Sequence, residues 1–251
     1  MARSLAINVA ANTNIPGFRG PIYPDGSFVY LPIPEREPIA ELVSVPTYGE
    51  LIDHLDPLPF AVSAEVREQH VHLDPEFAGY PFCETYTYGD EHGVKAGPIS
   101  ELEPGDWLYF YATLTRHEPP ASVSIGTPQP WVTEEWGTYI IGAFHIESIL
   151  SDPLNDPVLE TTSHPYLNNA HLKRDPIDPE VLVLGTEQSA LFDRAIPLSS
   201  PDAGATANKI VTDLSNDSGK GPWWRRRLWF DPDASETLRS IVENRSVEPW
   251  L

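Results

Sequence analysis

Apolar positions along the chain come in short runs, β-branched and aromatic, that end at proline or glycine. Residues 5–10 read as a first strand. The polar loop 12–20 follows, then Pro24-Asp25-Gly26-Ser27, a tight-turn signal that leads into a second strand over 28–31. The strongest pair lies mid-chain, at 107–114 and 139–149, where aromatic and β-branched residues suit a pleated sheet. A proline-rich excursion over 118–130 joins them and ends near Trp131 and Trp136; its length predicts a flap over one mouth of the sheet. Residues 181–185 form a later short strand. Thr47-Tyr48-Gly49-Glu50 has the spacing of a capping box, which predicts a helix over 48–55. Further helices are predicted at 189–195, 205–214 and 235–244, the last capped by Asp233 or Ser235.

Composition narrows this picture. The 27 prolines and 16 glycines in 251 residues exclude a helical bundle, because proline removes a backbone donor and breaks helix interiors. The expectation is an α+β chain of one domain over 1–251, with a core at 1–200 and a helical appendage at 201–251.

Charge changes the expected habitat more than the expected partner. Lys+Arg number 16 against 37 Asp+Glu, a formal net charge of -21, which argues against a simple electrostatic coat on DNA. Lysine occurs only at 95, 173, 209 and 220, and an acidic, lysine-poor surface suits molar salt. There the Debye length falls to roughly 3 Å and self-repulsion is screened. The single Cys83 excludes an intramolecular disulfide and a cysteine-type zinc knuckle. It reads as a packed residue, since the neighbouring Glu84 disfavours a thiolate. No apolar run approaches the roughly 18 residues of a membrane span, and no signal-cleavage pattern is present, so a cytoplasmic location is expected.

Candidate chemistry lies in loops and at strand ends. Asn12, Asn14, Arg19 and Asp25 can converge on a ligand held by a rigid sheet, or can serve as Asx turns and a solvated salt-bridge arm. His70, His72 and Asp74 share a strand face and have metal-like spacing, but no further ligand is identifiable, and no metal or other cofactor is expected. His72 and Asp74 orient one another equally well. Tyr86, Tyr88, Trp107, Tyr109 and Tyr111 alternate along strands, which suits either base stacking or an aromatic core; the core is favoured for Tyr109 and Tyr111. Trp223-Trp224-Arg225-Arg226-Arg227 is the most basic segment and offers nucleic-acid contacts, or else docks on the sheet while its arginines pair with surplus carboxylates.

The wording of several segments is specific. Phe18-Arg19-Gly20-Pro21-Ile22-Tyr23-Pro24-Asp25-Gly26, Leu31-Pro32-Ile33-Pro34, His72-Leu73-Asp74-Pro75, Tyr86-Thr87-Tyr88-Gly89 and Tyr139-Ile140-Ile141-Gly142 together resemble the nucleotide modification associated domain 3 family over residues 4–150. The composition suggests a haloarchaeal-type member. The resemblance implies a part in a system that modifies bases in DNA or senses the product. Residues 105–111 and 140–144 separately resemble the core of PUA-like and EVE-like barrels, which implies a strand-rich mixed β-barrel with short peripheral helices. The function expected is recognition of a nucleobase or nucleotide, a modified base in nucleic acid, with DNA favoured over RNA and no membrane. The pocket would comprise Asn12, Asn14, Arg19, Asp25, His72, Asp74, Tyr86 and Tyr88. The alternatives are a base-modifying enzyme using Asp25, His72 and Asp74, and a protein-binding scaffold.

Overall fold

The computed structural model describes residues 2–14, 16–161 and 163–251. In chain order the strands are β1 (Ser4–Asn8), β2 (Pro21–Ile22), β3 (Ile33–Pro34), β4 (Val71–His72), β5 (Thr87–Asp90), β6 (Trp107–Arg116), β7 (Trp136–Leu150), β8 (Val181–Gly185), β9 (Ala190–Pro197), β10 (Ser199–Ser200), β11 (Ala203–Ala207) and β12 (Leu228–Phe230). The α-helices are α1 (Tyr48–Asp53), α2 (Ala64–Arg67), α3 (Gly93–Ser100) and α4 (Pro232–Asn244). No helix is long and apolar enough to cross a membrane among the described residues.

The mid-chain pair forms the centre of the molecule. β6 and β7 are antiparallel; β6 takes β1 and β2 on its other edge, and β7 takes β9 and then β8. The main sheet runs β12-β1-β6-β7-β8-β5, with β1 and β2 parallel to β6. Register passes from Phe110↔Gly142 to Tyr111↔Ile140, and again from Ile146↔Gly185 to Ser148↔Leu184, leaving Ile141 and Glu147 as bulges that bend β7. Gly142 permits the close approach of neighbours here: a Cβ would lie 2.7 Å from the Ala190 carbonyl oxygen and from the Phe77 ring. Phe77, Phe110 and Phe144 pack edge to face, with centroids 4.7–5.6 Å apart, and Tyr109, Tyr111 and Tyr139 are also fully buried.

Several expectations are corrected. The strand-rich mixed architecture is found, but no closed barrel is seen: β12 and β5, at the two ends of the sheet, do not pair among the described residues. The predicted helix at 189–195 is β9, whose residues are recruited by ladder bonds to β7. The predicted helix at 205–214 divides into β11 and a π-helical turn, Ile210–Leu214. Residues 28–31 are extended but make only the single bridge Ile22↔Phe28. The 235–244 helix is found within α4, capped instead by Asp231, whose Oδ1 accepts from the Ala234 N–H at 2.9 Å. The capping box at Thr47 and Glu50 forms as expected. The excursion docks through Trp131, which packs on Gly26, and through the Gly126 N–H, which donates to Asp25 Oδ2 at 2.7 Å. Within 201–251, β12 joins the main sheet by pairing with β1.

Candidate functional site

A cleft of about 280 Å³ opens between the end of β1, the edge strand β5 and the β3–β4 ribbon. The end of β1 contributes Asn8 and, just beyond it, Asn12; β5 contributes Tyr88, Gly89 and Asp90; the first turn of α3 contributes Lys95. Antiparallel pairing of Ile33 with His72 brings the β3 segment alongside β4, so that Glu35 reaches the His72 ring. The 3₁₀ turn Ala170–Lys173 docks on β5, capped by Asn169, whose Oδ1 accepts from the His171 N–H at 3.0 Å. Gly89 makes that docking possible: a Cβ there would stand 2.7 Å from His171 Cδ2.

At the floor of the cleft is a buried ionic cluster. His72 Nδ1 lies 2.7 Å from Glu35 Oε2, and His171 Nδ1 lies 2.8 Å from Asp178 Oδ1. Both Nε2 atoms face Asp74 Oδ2, at 3.9 and 3.6 Å, and the two rings cross at 90° with centroids 4.9 Å apart. Asp74 is held by the Gly89 N–H and by Asn169 Nδ2, which donates at 3.2 Å. Arg174 donates to Glu35 at 3.0 Å, to Asp178 at 2.6 Å and to Glu91. Burial alone would raise the Glu35 carboxyl, but hydrogen bonds from His72 and Arg174 outweigh it and hold it well below the usual carboxylate range. Burial likewise opposes the His171 imidazolium, and Asp178 with Asp74 reverses this, raising it to about 9. Asp178 is held down at about 2, because donation from His171 and Arg174 exceeds its desolvation.

Of the residues singled out in the sequence, Asn12, His72, Asp74 and Tyr88 line this cleft. The others do not. Asn12 also forms an Asx turn, its Oδ1 accepting from the Asn14 N–H at 2.9 Å, while Asn14 itself is exposed. Asp25 is buried in its own turn, accepting from Ser27 and Gly126. Tyr86 packs edge-on against Phe144. Arg19 lies over the Trp136 ring at 4.8 Å, and Trp136 meets Trp224 at 5.6 Å. His70 turns away, its Nδ1 hydrogen-bonded to the Val45 carbonyl at 2.8 Å. Sequence reasoning missed Glu35, Asn169, His171, Arg174 and Asp178. The one local signal for them was His171, Arg174 and Asp178 within eight residues of an otherwise unpatterned loop.

The Trp/Arg segment divides by exposure. Trp223 is fully buried and donates Nε1–H to the Ala205 carbonyl at 2.9 Å. Trp224 is half-buried and Arg225 exposed, Arg226 pairs with Asp217 at 2.9 Å, and Arg227 donates to the Val94 carbonyl of α3. That last contact ties the segment to the helix whose first turn lines the cleft.

Comparison with curated proteins and with solved structures returned no match. The segments that build the cleft, from Asn8 and Asn12 through His72-Leu73-Asp74 and Tyr88-Gly89 to His171, lie inside a family-model match to residues 3–241, and the chain accordingly belongs to the nucleotide modification associated domain 3 family.

Proposed function

We infer that the chain binds one base of a nucleic-acid strand, a modified base in DNA, in the cleft between β1, β5 and the 3₁₀ turn. Membership of a nucleotide-modification family supplies the setting. Its volume of about 280 Å³ lies just under the roughly 300–1,000 Å³ of sites that hold drug-sized ligands, which suits one base rather than a stacked pair. Asn8 and Asn12 offer amide donors and acceptors of the kind that read base edges. The observation that carries the reading is the bond from Arg227 to Val94, because it sets the most basic segment of an acidic chain beside the rim of its polar cleft. A strand held at Trp224 and Arg225 would then present a base to the cleft that Asn12 lines.

Fluorescence anisotropy with single-stranded oligonucleotides carrying one modified or unmodified base tests this. Asn12→Ala should narrow the difference in affinity between bases. Arg225→Ala should weaken all oligonucleotides about equally and reduce the salt slope by about one. Equal binding by the wild type and both variants would remove the reading. The enzyme alternative built on Asp25, His72 and Asp74 is less well supported, since Asp25 is committed to Ser27 and Gly126 and does not line the cleft.

A further inference from the structure

We propose that His72, Asp74 and His171 hold a divalent first-row transition-metal ion, through the Nε2 atoms of the two imidazoles and Oδ2 of the carboxylate. The Nδ1 atom of each ring is occupied by a carboxylate, Glu35 at 2.7 Å and Asp178 at 2.8 Å. That arrangement keeps a proton on Nδ1 of each ring, so that an ion takes the place of the Nε2 proton of the His171 imidazolium, and it is how outer carboxylates orient metal-binding histidines. Both Nε2 atoms then converge on Asp74 Oδ2 at 3.9 and 3.6 Å, too far for hydrogen bonds. Ligand-capable atoms of the three residues all lie within 4.8 Å of one another. Donors about 2.0–2.2 Å from a zinc-sized ion stand roughly 3.3 Å apart around a tetrahedron, so the two Nε2–Oδ2 edges, at 3.9 and 3.6 Å, need shorten by only about 0.6 and 0.3 Å, with the third edge inside 4.8 Å.

Charge points the same way. Glu35, Glu91 and Asp178 face a single guanidinium, Arg174, whereas Asp74 meets only the two imidazoles as charged partners among the described residues; the side chains of Glu35, Asp74 and Arg174 are 4%, 2% and 7% exposed. Buried carboxylates call for matching positive charge, and a dication on the Nε2 side of the rings supplies at Asp74 what the His171 imidazolium otherwise supplies, away from Arg174. A second grouping, Glu91, His171 and Asp178, is excluded as the metal site. There His171 Nδ1 is already hydrogen-bonded to Asp178 and has the Arg174 guanidinium 3.1 Å away. Two nitrogens and one oxygen, with no thiolate, suit zinc, iron(II) or manganese(II). All three ligands line the cleft, so the remaining coordination positions open to water or to a bound ligand, as in reactive rather than structural centres.

The metal alone tests this, without any nucleic acid, so the outcome is separate from that of base binding. Untagged protein is stripped with chelator and titrated with Co²⁺ followed by absorbance, then with Zn²⁺ by competition. One equivalent should bind, with the visible bands of cobalt held by nitrogen and oxygen. His171→Ala should abolish the bands. Glu35→Gln, which keeps shape and only removes the outer carboxylate charge, should weaken Zn²⁺ binding about 10–100-fold, and serves if His171→Ala fails to fold. His70→Ala should leave binding unchanged. A wild type that takes up no stoichiometric metal, or one whose binding survives Glu35→Gln and His171→Ala but is lost in His70→Ala, overturns the proposal.

Discussion

The backbone N–H of Gly89 lies 3.1 Å from both carboxylate oxygens of Asp74, so one strand residue fixes the orientation of the acid at the floor of the cleft. The same residue has no room for a side chain: a Cβ would meet His171 Cδ2 at 2.7 Å and Asn169 Oδ1 at 2.9 Å. Gly89→Ala should push the 3₁₀ turn off β5 and cost about 1–3 kcal/mol, the usual range for overpacking a filled site. In a chain of this size each kcal/mol lowers Tm by about 2–4 °C, which a calorimetric melt resolves. An unchanged Tm would mean that the turn can retreat without loss.

Arg174 should be far more sensitive than any surface arginine. Its side chain is 7% exposed and serves three carboxylates, whereas Arg67 pairs with Asp53 at 2.8 Å with side chains 38% and 70% exposed. Arg174→Met strands buried charge and should cost about 3–5 kcal/mol. Arg67→Met should cost about 0–1 kcal/mol. Urea denaturation of both variants, analysed by midpoint at equal m-value, makes the comparison; similar losses would mean the cluster is hydrated.

What the sequence disclosed was local. Thr47 and Glu50 are three positions apart, and their reciprocal cap needs no knowledge of the rest of the fold. β6 and β7 carry enough aromatic and β-branched residues to declare themselves. β9 does not, because Ala190 to Pro197 becomes a strand only where β7 presents an edge to it. The cleft was half legible for the same reason. His72 and Asp74 sit two residues apart and invite attention, but His171 reaches them across 99 positions, through a turn that Gly89 admits. Arg19 and Asp25 share a loop region with Asn12, yet β2 and its turn carry them to other neighbours.

Cys83 should be inert in the folded protein. Burial, with Glu76 nearby, pushes its thiol up to about 12. At pH 8 such a thiol is ionised on the order of a thousandfold less than a free cysteine near 8.5. Alkylation should therefore follow global unfolding: slow in buffer, fast in urea. Rapid labelling of the native chain would show that the segment around Phe82 opens on its own.

Asp25 links acid stability to the docked excursion. Burial raises its carboxyl, but hydrogen bonds from Ser27 and Gly126, with Arg194 at 3.6 Å, outweigh this and lower it. A carboxyl lowered by folding contributes stability above its unfolded pKa, near 4, and loses it as pH falls through the folded value. Asp25→Asn should cost about 1.5–3 kcal/mol at neutral pH, the range of hydrogen bonds to a charged group. The gap between variant and wild type should shrink below pH 4, as read by Tm across a pH series. A gap that stayed constant would place the effect in shape and not in charge.

Adjacent tryptophans should report different things. Trp223 is fully buried with its indole N–H satisfied, so Trp223→Ala removes core volume and should cost about 3–5 kcal/mol of stability. Trp224 is half-buried and sits edge-on to Trp136, which carries the Arg19 guanidinium on its face. Trp224→Ala should therefore leave most of the stability intact and weaken oligonucleotide binding by about 1–3 kcal/mol, the worth of one base stacked on an aromatic ring, or about 5- to 150-fold. Salt separates this contact from the neighbouring charge. Counterion release makes Arg225 count at low ionic strength and contribute little in molar KCl, whereas stacking persists. Anisotropy titrations across a KCl series should then show the Arg225→Ala defect fading and the Trp224→Ala defect remaining. If both fade together, the segment acts through charge alone; if neither variant binds less tightly at any salt, Trp224 belongs with Trp223 as packing.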